Sequence, residues 1–173
     1  MSLVAPSQFQ VRRLVPADAA DYRLIRLAAL QGEPCAFGST YEAEAGRPLT
    51  HFAERLATCA VHGAYSAAGI VGMAGFKCQE GTRRCHKAFV WGMYVRPEMR
   101  RQGVARALMQ ALLEEARGLV EQLTLCVVQD NAAAIALYRE LGFEVYGVEP
   151  RALKDATGYA DEVQMVRFLA RPS

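Results

Sequence analysis

No run of the chain is apolar enough to cross a bilayer as a helix, which needs roughly 20 residues. The opening residues, MSLVAPSQF, have neither the basic start nor the long apolar run of a secretory signal, so a soluble, cytoplasmic protein is expected. Cysteine is sparse: Cys35, Cys59, Cys78, Cys85 and Cys126 are odd in number and never spaced as CxxC, which argues against a disulfide framework. Cys78 with Cys85-His86 matches no common zinc spacing, so no metal is expected. Cys126 lies inside an apolar run with no adjacent base and is a poor candidate nucleophile. An excess of one charge is also missing. The net charge is +2, and the one local cluster, Arg83, Arg84 and Lys87 followed by Arg96 to Arg106, suits a small polyanion better than a duplex. Neither nucleic acid nor membrane is an expected partner.

What is present is an ordinary globular balance: 173 residues, 52% hydrophobic and 22% charged, enough for one well-buried domain and short for two. Apolar patterning predicts a strand from Gln8 to Val15, then an amphipathic helix from Ala17 to Gln31 with Tyr22, Ile25 and Ala29 inside and Asp18 and Asp21 in its first turn. Cys35 to Leu49 lacks periodicity and reads as a long, functional loop. Thr50 is placed to cap a helix ending near Thr58. Val61–Ser66 and Ile70–Lys77 read as a hairpin, followed by a polar turn and a strand from His86 to Val95. Gln122–Gln129 is apolar enough for a strand buried on both faces, parallel to the one ending at Val95 because a helix separates them. Phe143–Gly147 and Glu162–Leu169 supply two more strands, with Val148–Asp161 irregular in part.

The most informative stretch is VWGMYVRPEMRRQGVARALMQALL, Val90 to Leu113. It is a strand stopped by Pro97, a basic turn, and a helix whose apolar positions (Val104, Leu108, Met109, Leu112, Leu113, Ala116) recur with helical period. A helix start offers unpartnered N–H groups and partial positive charge. Gly103 and Ala105 leave room for an anion at the backbone, and Arg100, Arg101 and Arg106 add charge, so the turn is a candidate phosphate site. It is neither a Walker loop, since no Lys-Ser/Thr follows, nor a dinucleotide fingerprint. The second stretch runs from Asn131 to Phe143, where Asn131 caps a helix to Leu141, Ile135, Tyr138 and Leu141 share its inner face, and Gly142 ends it.

Together the two stretches resemble the GNAT superfamily of acetyl-CoA-dependent N-acetyltransferases: Arg100, Gly103 and Ala105 match its Q/R-x-x-G-x-G/A loop, and N-x-x-A-x-x-L-Y-x-x-x-G-F runs from Asn131 to Phe143. The resemblance implies an α/β fold with a mixed, mostly antiparallel sheet, a central parallel strand pair and flanking helices. It implies acetyl-CoA as cosubstrate, its pyrophosphate on the amides of Arg101, Gln102, Gly103, Val104, Ala105 and Arg106, and its pantetheine arm along Val95 and Asn131. The Met93 amide would face the thioester carbonyl, Gly92 would permit a bulge that frees it, and Tyr138 would protonate the departing thiolate. Histone-type members use a strand glutamate as base, where this chain has Phe89, Val90 and Trp91; Glu42, Glu44 or water would replace it. The acceptor, a small primary amine or a peptide amine, is expected between the Cys35–Leu49 loop, the Val90–Val95 strand and the Val148–Asp161 segment, near Phe37, Tyr41, Glu42, Trp91 and Tyr159. The rival is a non-catalytic acyl-CoA sensor on the same fold, and exposed strand edges could support a homodimer.

Overall fold

A computed structural model describes residues 8–169. Seven strands form one sheet: β1 (Gln10–Arg13), β2 (Ala60–Ser66), β3 (Gly69–Cys78), β4 (Lys87–Val95), β5 (Gln122–Val128), β6 (Glu144–Asp155) and β7 (Gly158–Phe168), in the order β1-β2-β3-β4-β5-β7-β6. Every neighbouring pair is antiparallel except β4 and β5. Five helices connect them: α1 (Ala19–Gly32), α2 (Tyr41–Ala45), α3 (Leu49–Thr58), α4 (Val104–Ala116) and α5 (Ala132–Glu140).

The helices cover both faces because each carries one apolar stripe. Tyr22, Ile25 and Ala29 of α1 join Phe52 and Leu56 of α3 against Val61, Ile70, Met73 and Tyr94 of the sheet. On the other face, Val104, Leu108, Leu112 and Ala116 of α4 and Tyr138 of α5 pack with Val90, Leu123, Leu125 and Met165. The sheet is therefore the middle layer of three.

Four expectations need correction. The stretch from Cys35 to Leu49 is not all loop: Pro34–Ala36 forms a 3-10 turn and Tyr41–Ala45 a short helix, whose first turn Thr40 caps by accepting from Ala43 N–H at 3.2 Å. The helix after it begins at Leu49 behind Pro48, so Thr50 lies inside it rather than capping it; proline fixes φ for helix entry without needing a donor. β5 is not buried on both faces. Leu123, Leu125 and Val127 are buried, while Thr124, Cys126 and Val128 between them are half-exposed, because no helix covers that side of the strand's end. Finally, Val148–Asp161 continues β6 into β7 as one long hairpin, its irregularity confined to a register shift between Glu149 and Leu153, where Arg151 takes φ 55°, and to the turn itself.

Candidate active site

The site begins where β4 and β5 part. Their parallel pairing covers only Lys87↔Gln122, Ala88↔Leu123 and Phe89↔Thr124, and beyond it the strands diverge. On its other edge β4 stays paired with β3, with an irregularity: Met73 faces Tyr94 and Gly75 faces Trp91, so Ala74 stands opposite both Gly92 and Met93. This is a β-bulge, and Gly92 adopts φ 69° there, a left-handed conformation that costs a Cβ-bearing residue energy. Arg96 N–H donates to Val71 O at 2.8 Å. Tyr94 and Arg96 therefore address β3, and by alternation Met93 and Val95 turn their backbone groups toward the gap left by β5.

The gap is a small pocket of about 100 Å³ walled by Met93, Cys126, Asn131, Ala134 and Tyr138 among others. Tyr138 is buried, its ring edge-on to Phe143 at 5.9 Å. Burial pushes its phenol up to about 12, so the group stays protonated at every physiological pH. Asn131 Oδ1 accepts from Ala134 N–H at 3.1 Å, capping α5, and Asn131 lines the pocket. Gly142, with φ 81°, ends the helix as its sequence predicts. Cys126 is held up at about 11 by burial, with the charges of Glu162 and Glu149 adding to it, which leaves almost no thiolate.

At the end of β4 the chain turns through Arg101 (φ 61°) and Gly103 (φ 84°) into α4. The first helical bond is Ala107 N–H to Gly103 O, 2.9 Å. The amides of Val104, Ala105 and Arg106 precede it and have no carbonyl a turn behind them. A Cβ on Gly103 would meet nothing within 4 Å, so the space in front of these amides is open. The arginines are less free than the sequence suggests. Arg100 donates to Val95 O at 3.0 Å, pairs with Glu33 and lies 5.9 Å from the Tyr94 ring, while Arg106 pairs with Glu140. Of Val95's backbone groups the carbonyl is thus occupied and the N–H remains. Gln102 turns back to Glu98 O at 2.9 Å, and Arg101 is exposed on the turn.

A second, wider cleft of about 1140 Å³ adjoins the pocket, and Phe37, Trp91 and Gly92 line both. Its other walls are Glu44, His51 and Arg55 from α2 and α3 and residues of the β3–β4 connection. Here the expected acceptor site is redrawn. Phe37 and Trp91 stand in the cleft; Tyr41, Glu42 and Tyr159 do not line it. Glu42 is exposed on α2, and Tyr159 lies outward on the hairpin beneath Arg151 and Lys154. Nothing from Val148–Asp161 forms a wall, although Asp155 touches the loop by accepting from Cys35 Sγ at 3.2 Å. Sequence reasoning missed α3 as a wall, since only its apolar stripe was conspicuous.

Glu44 sits at the cleft's base, buried, taking two bonds from Arg26 (3.0 and 2.7 Å) and one from Arg55 (3.2 Å). Burial alone would raise its carboxyl, but the hydrogen bond and charge of Arg26, with Arg55 behind, hold it down at about 2. With both oxygens engaged by arginines, this carboxylate is a weak base. Among the described residues no cluster of three or more His, Cys, Asp or Glu is placed to hold a metal, and no helix is long and apolar enough to cross a membrane.

The arrangement is that of a two-cleft binding fold, a narrow slot between parting parallel strands opening into a broad pocket. A family model described as the acetyltransferase (GNAT) family matches residues 24–143, and the chain belongs to that family. It is 33% identical over 100 residues to an L-amino acid N-acetyltransferase, AaaT, of Escherichia coli, covering 57% of this chain and 61% of that one. It is 37% identical over 81 residues to a [ribosomal protein bS18]-alanine N-acetyltransferase of Salmonella typhimurium, covering 46% and 54%. The matches thus span roughly half to six tenths of these relatives. In overall fold it is similar to the structure of yncA from Salmonella typhimurium with its cofactor acetyl-CoA: TM-score 0.82, 22% identity, 96% of this chain and 97% of that one.

Proposed function

We propose that the protein is an acetyl-CoA-dependent N-acetyltransferase that moves the acetyl group to a primary amine of a small molecule or peptide by direct attack in a ternary complex. The observation that carries this reading is the parting of β4 from β5 at a bulge, with the Met93 amide on one wall and a neutral, buried Tyr138 on the other. The amides at the start of α4 hold the CoA pyrophosphate. Val95 N–H and the Asn131 amide NH₂ hold the pantetheine arm, which takes the ladder position β5 has vacated.

The amine enters through the wide cleft as a neutral base, having lost its proton to water there. Its lone pair attacks the thioester carbonyl carbon; a C–N bond forms and negative charge grows on the oxygen, where the Met93 N–H stands preorganised. The C–S bond then breaks, and the thiolate takes the proton of Tyr138 Oη. The phenolate regains a proton from the nitrogen by way of solvent, so charge and protons balance over the cycle. A phenol held at about 12 is always protonated when the thiolate forms, but it is a weaker acid than a thiol at about 8.5, so the transfer runs to completion only because the phenolate recovers the proton that the nitrogen releases.

The test is thiol release from acetyl-CoA against amino acids, polyamines, aminoglycosides and N-terminal peptides, with CoA binding followed by calorimetry. Turnover on one class establishes the reading. CoA binding with no turnover on any class transfers it to the acyl-CoA sensor, and no CoA binding removes both.

A further inference from the structure

At the inner end of the wide cleft Arg26 and Arg55 share one carboxylate, Glu44, and all three side chains are largely withdrawn from water, while Glu54, Glu80, Lys77 and Arg84 line the outer part. Arg26 is the more enclosed of the two: it grips both oxygens of Glu44 and lies over the Phe37 ring at 5.3 Å. Arg55 is more open to the cleft. Among the described residues its Nη1 donates to Glu44 at 3.2 Å and reaches Tyr22 Oη at 3.5 Å, and its Nη2 meets His51 Nε2 at 3.2 Å. A guanidinium has five N–H groups in a rigid fork, so Nε–H and one Nη2–H are left over. Its plane lies 5.7 Å from Trp91, the residue that also lines the reacting pocket. Trp91, Glu44 and His51 fix the fork from three sides, a preorganised donor pair in a half-buried setting where one carboxylate serves two guanidiniums.

From this we infer that the acceptor is a free amino acid whose α-carboxylate docks on Arg55. The inference rests on the acetyltransferase reading and sharpens it. A carboxylate matches the planar fork and would give the second guanidinium a partner of its own. A peptide N-terminus has no carboxylate next to its amine, and a polyamine would set a second cation against the Arg55 guanidinium.

The test uses matched ligands: leucine, leucinamide and a leucyl dipeptide, each measured for thiol release and, separately, for binding to the CoA-loaded protein by calorimetry. Leucine should exceed leucinamide by about 10- to 100-fold in kcat/KM and in affinity, the range expected of a charge-assisted, partly buried contact. In Arg55→Gln the acid-to-amide ratio should fall toward one, chiefly through KM. Arg55→Lys keeps the charge and loses the fork, so it should give an intermediate ratio, and it stands in if the glutamine variant does not fold; intact CoA binding reports folding in both. Equal use of acid and amide, better use of the dipeptide, or an acid preference that survives both substitutions overturns the inference. Binding decides the matter independently of turnover. A ligand preference without thiol release would leave the carboxylate site standing while removing the acetyltransferase reading, and thiol release without preference would do the reverse.

Discussion

Replacing Tyr138 by Phe removes one oxygen from the wall of the reacting pocket and little else. The ring packs edge-on against Phe143 at 5.9 Å, a contact phenylalanine keeps, and no large cavity is left. If Oη delivers the proton that thiolate departure needs, turnover should fall by about 10²- to 10³-fold, within the range of a lost general acid. CoA affinity should stay within about threefold, because the backbone amides of the turn carry that affinity. Stability gives a second, independent reading. The folded phenol sits at about 12 against about 10 unfolded, so between those values the native state holds a proton the unfolded chain has released. The contribution is fully present below pH 10 and is lost as pH rises toward 12, about 3 kcal/mol at most. Urea unfolding at pH 8 and at pH 11 should therefore show wild type losing stability that Tyr138→Phe retains. Stopped-flow thiol release with the variant at saturating acetyl-CoA is the decisive assay. A kcat within twofold of wild type would refute the acid role, and equal alkaline losses in both proteins would refute the burial argument beneath it.

Gly103→Val should destabilise the fold by about 1–2 kcal/mol, since φ 84° is strained for a branched residue, and should weaken CoA binding at least tenfold by crowding the open amides, as calorimetry would read. Glu44→Gln leaves Arg26 buried without its counterion and should cost about 3–5 kcal/mol in urea unfolding. In wild type the Glu44 contribution is present above its unfolded value near 4.5 and fades as pH falls toward 2. His62, buried in β2 with Nδ1 unpartnered, is pushed down to about 4 by burial and by Arg13. The fold therefore favours neutral imidazole, and stability present above pH 6.5 should decline as pH falls toward 4. His62→Gln should flatten that part of the Tm profile, and an unchanged slope would place the acid sensitivity elsewhere.

The geometry of the slot and its turn was more legible in sequence than that of the wide cleft, for a physical reason. A turn that leaves backbone amides open at a helix start needs glycine and a small residue in a row, and Arg100 to Ala105 displays that order locally. The Asn131 cap and the Gly142 stop are local in the same way. What α3 offers is not local. Arg55 reads as a surface arginine on an amphipathic helix until the fold brings it against Glu44 from α2 and Trp91 from β4. Glu42 and Glu44 are two residues apart on one short helix, so only the packing of α2 decides which is exposed and which is buried. The arginines of the turn show the converse limit: their spacing announces positive charge, yet Glu33 and Glu140, distant in sequence, claim Arg100 and Arg106. Likewise the apolar character of β5 concealed that part of it lines an open slot.

The position of the bulge explains why the two clefts meet where they do. Had β4 and β5 stayed paired past Phe89 and Thr124, the Met93 and Val95 amides would be satisfied by β5 and unavailable to any ligand. Had β4 run without a bulge, Met93 would face β3 and its neighbour the gap, since a one-residue slip reverses every backbone direction beyond it. The extra residue at Gly92 thus aims the Met93 N–H into the gap while leaving Tyr94 bonded to β3. Trp91, the residue just before Gly92, stands beside Arg55 and lines both the slot and the wide cleft, so the two spaces meet at this irregularity. On the acetyltransferase reading, one strand would thus bring cofactor arm and acceptor together, with the distance between them fixed by backbone rather than by flexible side chains.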